Sequence, residues 1–208
     1  QGYAEELAAA LPNFIVEFSP ESHDAAVRRA SGKPFATAGI ASTIKACLDA
    51  GAKRFDLFFM IGLSQQTPES ALATVDYCRD LLSQYDDGRL IPFTSPLAPF
   101  LDPGSRAYEM PDRYGYRRRA QTLEDHRRLL LEPTWKDILS YETRWMDRST
   151  IADVTYESGW RLNRLKRDVG LISREKAEET EARIREARAL MAQIDDLVLR
   201  PVEVQGRG

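Results

Sequence analysis

The chain has 208 residues, with 43% hydrophobic and 29% charged side chains, the balance of an ordinary globular protein. Its 29 Lys and Arg against 32 Asp and Glu give a net charge of −3, which argues against a general nucleic-acid coat. Two cysteines, Cys47 and Cys78, make neither a disulfide framework nor a CxxC-type metal set, and no apolar run reaches the ~20 residues of a membrane span. A reduced cytoplasmic setting is the simplest expectation. The charge is uneven: residues 1–104 hold 8 basic and 13 acidic residues, whereas residues 105–208 hold 21 and 19.

Residues 3–11 read as the end of a helix, broken at Pro12-Asn13. NFIVEF (13–18) reads as a short strand, and SPESHD (19–24) as a polar turn. AAVRRAS and ATAGIASTIKACLDAG follow as helices, the second closing at Gly51. RFDLFFMIGL (54–63) is a near-continuous apolar run, as expected for a strand buried on both faces. PESALATVDYCRDLLSQY (68–85) starts on Pro68 and repeats its apolar residues at helical spacing; RLIPFT (89–94) is a third strand.

Strand and helix therefore alternate, which predicts an α/β fold with three parallel strands. All three strand ends then meet on one side, where α/β proteins bind ligands. Those ends are SPESHD, GLSQQT and TSPLAPFLDPGS, all rich in small and polar residues. Plain turn chemistry, with Ser or Thr capping the next helix, is the competing reading of each. Residues 95–120 read as a long ordered loop anchored by Leu97, Phe100, Leu101, Tyr108, Tyr114 and Tyr116. Helices are predicted over 121–131, 134–146 and 149–170, and a last one from Ser173 to about Arg200, where Pro201 stops it. Its apolar stripe is Ile184, Ala187, Met191, Ile194 and Val198, with Glu179–Arg183 and Glu181–Arg185 as supporting pairs.

No phosphate loop, nucleophile elbow, HExxH or zinc ligand set is present. Of the two histidines, His126 reads as a surface or packing residue, and His23 sits in a strand-end turn. What remains is a strand-end site for a polar organic ligand. Glu17 and Glu21 can accept hydrogen bonds, and Ser19 and Ser22 can donate or accept them. Glu17 alternates with Val16 and Phe18, so it is expected to face the interior of the sheet or barrel, either binding something or paired with Lys33, Lys53 or Arg54. Gly62 between Ile61 and Leu63 leaves an apolar ledge for a flat heterocycle.

Three stretches in order, residues 13–35, 50–78 and 91–105, resemble the second half of the radical S-adenosylmethionine enzyme core. The nearest likeness is to the cobalamin-binding-domain branch, and the tail from YEMPDRYGYRRR through LEDHRRLLLEPTWKDILSYETRWM shares it, so that it covers residues 3–170. The resemblance implies half of a partial (β/α) barrel, over residues 1–104, a helical family-specific region over 105–170, and a long helix and tail over 171–208. It implies that Glu17, Ser19, Glu21 and Ser22 lie by the ribose of S-adenosylmethionine, and that Ile61, Gly62, Leu63 and Thr94 lie by its adenine. Ser64 and Gln65 stand where the family's turn usually has Pro-Gly. The CxxxCxxC loop that would hold a [4Fe–4S] cluster is not in this sequence, nor is the glycine-rich methionine-binding motif. The resemblance thus implies that the cluster, and cobalamin if used, are held by an N-terminal half outside this chain. An opening Gln rather than Met agrees with that expectation. The expected partners are that missing half and a small-molecule substrate, with no membrane and no protein-held metal in this chain. Two other readings stand beside this one. One is a non-enzymatic module whose RYGYRRR segment binds a single-stranded nucleic acid or a protein, set against a merely solvated face. The other is a different (β/α) barrel fragment without iron.

Overall fold

A computed structural model describes residues 2–97 and 100–199. The side chains of Val198 and Leu199 and the expected stop at Arg200–Pro201 lie outside the described residues. The architecture is α/β. It begins α1 (Gly2–Ala10), β1 (Ile15–Glu21), α2 (Ala25–Ala30), α3 (Thr37–Asp49), β2 (Arg54–Ile61), α4 (Pro68–Gln84) and β3 (Leu90–Pro96). The three strands form one parallel sheet in the order β1-β2-β3, with Val16 beside Phe55 and Phe58 beside Phe93.

Helix limits follow local chemistry. Asp24 caps α2 by accepting from the Ala26 N–H, and Thr67 caps α4 by accepting from the Ser70 N–H ahead of Pro68. One face of the sheet buries Phe14, Phe55, Leu57, Phe59 and Leu90 against Ile40 and Ile44 of α3 and Val75, Cys78, Leu81 and Leu82 of α4. The other face carries Ile15, Phe58, Met60, Ile91 and Phe93. None of these belongs to either core, and Ile15 is half exposed.

The chain then continues through α5 (Arg106–Glu109), α6 (Pro111–Tyr114), β4 (Tyr116–Arg118), α7 (Leu123–Leu129), α8 (Trp135–Ile138), β5 (Tyr141–Thr143), α9 (Arg148–Asp168) and α10 (Arg174–Leu199). The long loop expected over 95–120 holds the short helices α5 and α6 and strand β4, and two further stretches differ from the sequence reading. Ser19–Glu21 continue β1 instead of forming a turn: the register slips between Phe18 and Glu21, and Glu21 takes a left-handed φ of 68°. This is a bulge, which lets the strand re-aim its last side chain. The helix expected over 134–146 is one turn only. Tyr141–Thr143 instead pair antiparallel with Tyr116–Arg118, burying Tyr141 completely. Tyr and Thr suit a pleated, buried position better than a helix face.

A second core joins Ile61 and Ala71 to Leu101, Tyr108, Tyr116, Leu139, Tyr141 and Ile151. Helix α9 ties both cores together: Ile151 and Val154 enter the second, and Leu162 and Leu165 enter the first. Helix α10 is held along it by Asn163, which donates to the Ala177 carbonyl at 2.9 Å, and by Lys136 of α8, a buried ammonium on Asp195 at 2.6 Å. Of the expected helix pairs, Glu179–Arg183 forms, while Glu181 turns to Arg167 and Arg185 covers the Trp160 ring.

Lys166 of α9 lies over the Phe93 ring at 4.2 Å. The ring favours the ammonium by ~0.5–2 kcal/mol. Desolvation costs a buried ion several kcal/mol and wins, pushing its pKa down to about 8. The folded chain then releases this proton near pH 8, while the unfolded chain holds it to about 10.5, so this group's contribution to stability rises as pH climbs between those values. Cys78, whose thiol burial pushes up to about 12, acts in the opposite sense above pH 9. A comparison below that range isolates the lysine. From pH 7 to 9, wild type gains ~1 kcal/mol of unfolding free energy relative to Lys166→Met, measured by urea titration. An unchanged gap would refute the assignment.

Candidate functional site

The parallel order brings the C-terminal ends of β1, β2 and β3 to one side, and a cleft of about 470 Å³ opens there. Its walls come from three places: Glu21 with Arg29–Gly32 after β1, Leu63 and Ser64 after β2, and Leu97 with Phe100–Asp102, Ser105–Ala107, Tyr114 and Tyr116 after β3.

The GLSQQT turn is built mainly by its own side chains. Gln66 is buried; its Oε1 accepts from the N–H groups of Gly62 (2.9 Å) and Leu63 (3.3 Å), and its Nε2 donates to the Met60 carbonyl at 2.9 Å. These contacts satisfy the frayed end of β2 without help from a ligand. Gln65 takes a left-handed φ of 62° to close the turn, and Thr67 caps α4. Plain turn chemistry therefore accounts for Gln65, Gln66 and Thr67, while Leu63 and Ser64 line the cleft.

Tyr116 fixes the mouth of the turn from the far side. Its hydroxyl accepts from the Ser64 N–H at 3.1 Å and donates to the Gly62 carbonyl at 3.4 Å, and burial pushes its pKa up to about 12. It is a neutral hydrogen-bonding group across the ordinary pH range. The sequence marks it only as an apolar anchor; its 54-residue separation from Gly62 leaves no local signal of the contact.

Glu21 is one of two carboxylates that line the cleft, with Asp102. Its backbone φ of 68° is costly for a residue with a Cβ, and the ion pair to Lys33 at 2.5 Å, with Lys33 also donating to the Ser19 carbonyl at 2.7 Å, holds it. Lys33 thus pairs with Glu21, and Arg54 with Asp56 at 2.8 Å. Glu17 is exposed on the sheet face outside both cores.

The other predicted site residues scatter around the cleft. The Ser19 hydroxyl donates to the Phe58 carbonyl at 3.4 Å. Ser22 is fully buried and accepts from the Asp24 N–H. Ile61 belongs to the second core, and Thr94 has a buried hydroxyl with no partner among the described residues. Gly62 sits behind the cleft wall, its Cα against Tyr141. Glu21 and Leu63 are therefore the two predicted residues that line the cleft, and three further charged groups, Arg29, Arg106 and Asp102, line it with them.

His23 contacts Thr74 through Nδ1 at 3.0 Å and stacks on Tyr77, and burial lowers its pKa; it packs β1 against α4. His126 packs edge-on to Phe100. The basic-aromatic segment is largely engaged within the chain. Arg117 pairs with Glu142, Arg118 covers the Tyr108 ring, and Arg119 donates to the Asp137 and Leu139 carbonyls.

A nucleoside fits the cleft in size, since small-ligand sites run from ~300 to 1,000 Å³. An iron–sulfur cluster does not fit the chain's own donors. Cys47 and Cys78 are buried on α3 and α4, and no group of three His, Cys, Asp or Glu side chains suited to a metal occurs among the described residues.

Gly62 has φ 93°, and a Cβ there would meet the Tyr141 hydroxyl at 2.8 Å. Gly62→Ala should cost ~2–3 kcal/mol, part backbone strain and part overpacking. Tyr141→Phe removes a buried hydroxyl that has no partner among the described residues, and should be neutral or stabilising by up to ~1 kcal/mol. In the double variant the loss should shrink, leaving mainly the backbone term. Strict additivity in denaturant titrations would disprove the contact.

Among the described residues no helix is long and apolar enough to cross a membrane. No protein-family profile, curated protein or solved structure matches the chain.

Proposed function

We propose that the chain forms half of a partial (β/α) barrel of the radical S-adenosylmethionine type, and that its strand-end cleft takes the nucleoside part of S-adenosylmethionine. The observation that carries this reading is the cleft's position. It opens where three parallel strands end, the usual ligand side of α/β folds, and it is lined by a strand-end carboxylate held in left-handed backbone. The sheet face bearing Ile15, Phe58, Met60, Ile91 and Phe93 adds support, because further strands closing a barrel would cover it.

In this reading Glu21 accepts hydrogen bonds from the ribose hydroxyls through the carboxylate oxygen that Lys33 leaves free. Leu63, Leu97 and Tyr114 supply an apolar wall for the adenine, and Tyr116 keeps the Ser64 backbone in place beside it. Bound there, S-adenosylmethionine would bring an adenosyl group to the reaction. The chain's own share is binding, orientation and exclusion of water. Ligands for a cluster, and a site for cobalamin, belong to residues outside this sequence, so the chain by itself is expected to be inactive in radical generation.

Calorimetric titration with 5′-deoxyadenosine and S-adenosylhomocysteine tests this. Saturable binding is expected. Glu21→Gly relieves the left-handed backbone while removing the carboxylate, so the fold should survive and affinity should fall about tenfold, the worth of one charge-assisted hydrogen bond. No saturable heat with wild type at millimolar ligand, or equal affinity in the variant, would overturn the proposal.

A further inference from the structure

The amine of Lys166 stands apart from that cleft. Its Nζ lies 4.2 Å from the centre of the Phe93 ring, and Phe93 stacks on Phe58 at 4.9 Å with 13° between their planes. Both rings are on the sheet face that neither core covers. The side chain is partly buried, and its Nζ has neither a hydrogen bond nor an ion pair among the described residues. The groups that face it from neighbouring elements are the Cys78 thiol of α4, the Asp56 carboxylate of β2 and the Phe93 ring of β3. Asp56 is committed to Arg54 through Oδ2, and its Oδ1 is buried without a partner among the described residues. On α9 itself, Arg167 is taken up by Asp168 and by Glu181 of α10. Asp56 is the carboxylate that faces the amine, but the two form no ion pair among the described residues, and desolvation outweighs its attraction and favours the uncharged form, the form that attacks carbonyl carbon.

We propose that Lys166 is a Schiff-base site for small aldehydes or ketones that reach it across the Phe58–Phe93 shelf. The amine lone pair forms the C–N bond as the carbonyl π pair moves to oxygen. A proton passes from nitrogen to that oxygen through water, giving a carbinolamine. Loss of water then leaves the imine, and no oxidant or reductant is consumed. The shelf offers a flat apolar floor, and with no ion pair or hydrogen bond on Nζ among the described residues the amine is free to react. Lys166 is such a site in the chain by itself, with the shelf open; this does not depend on what the strand-end cleft binds, and strands closing a barrel over the shelf would block it.

Acetaldehyde with cyanoborohydride reads it out, because the reductant traps each imine as a stable alkyl amine that peptide mapping can locate. The chain has six lysines, and Lys53 is an exposed reference without an ion pair among the described residues. At about pH 7.5 the folded chain should label Lys166 at least about tenfold faster than Lys53, with a rate that levels off above pH 8. Urea should abolish that advantage. Lys166→Arg keeps a cation over Phe93 and should fold normally while losing the fast adduct. Labelling of Lys166 no faster than Lys53, a rate that climbs in parallel with Lys53 to pH 10, or a fast adduct that persists in Lys166→Arg would each overturn the proposal.

Discussion

The guanidinium of Arg28 is completely buried, and every hydrogen bond it makes is to a carbonyl or a hydroxyl. Its Nη1 donates to the Ser22 and His23 carbonyls, its Nη2 to the Thr37 hydroxyl at 2.7 Å, and its Nε to the Phe35 carbonyl. A buried cation is expensive unless its donors are filled. The fork geometry of arginine fills them from two separate segments at once. The strand-end residues 22–23 and the start of α3 are thereby fixed on either side of one planar group. The loop between them, with Gly32 and Lys33, has little freedom left. Lys33 then reaches Glu21, and Glu21 keeps its left-handed backbone. The Glu21 carboxylate depends on a cation that does not touch it.

On the other strand end a side-chain amide plays the corresponding part. Gln66 gathers the backbone of residues 60–63 into a tight turn, and Tyr116 attaches that turn to the 95–146 segment. The glycine at 62 is required twice, for its positive φ and for the approach of Tyr141. The turn therefore meets the second core at a place with almost no spare volume. Both tyrosine hydroxyls there stay protonated at ordinary pH, Tyr141 with its pKa driven up by burial even further than Tyr116. A neutral, tightly filled junction suits a wall that must hold its shape beside an open cleft.

The repeating part of the fold was legible in the sequence because its signals are local. An apolar run ending in a Thr-Pro-Glu helix start marks β2 and α4 whatever lies around them. Gly51 marks the end of α3 for the same reason. The bulge at Ser19–Glu21 was not legible, because SPE reads as a turn until a neighbouring strand and Lys33 hold it extended. Tyr141–Thr143 looked helical because the flanking Trp135, Ile138 and Met146 fit a helical period, and the partner strand is more than 20 residues away. The strand-end position of the cleft was readable from the β-α alternation. Which of its polar residues face the cleft was not: Glu21 does, whereas Ser22 and Gln66 are consumed in turning the chain.

The placement of α9 has a consequence for how the chain comes to be ordered. Leu162 and Leu165 complete a core whose other walls are drawn from residues 4–90. During synthesis the parallel sheet and its first helices emerge well before the piece that closes them. Until α9 arrives, Leu90 and Cys78 lack part of their cover, and long-range closure is slow compared with local helix formation. The sheet, complete at Pro96, is then exposed to wrong contacts for the time it takes to make about a third of the molecule. Substitutions that weaken Leu162 or Leu165 should therefore affect the yield of soluble chain more than their equilibrium cost implies.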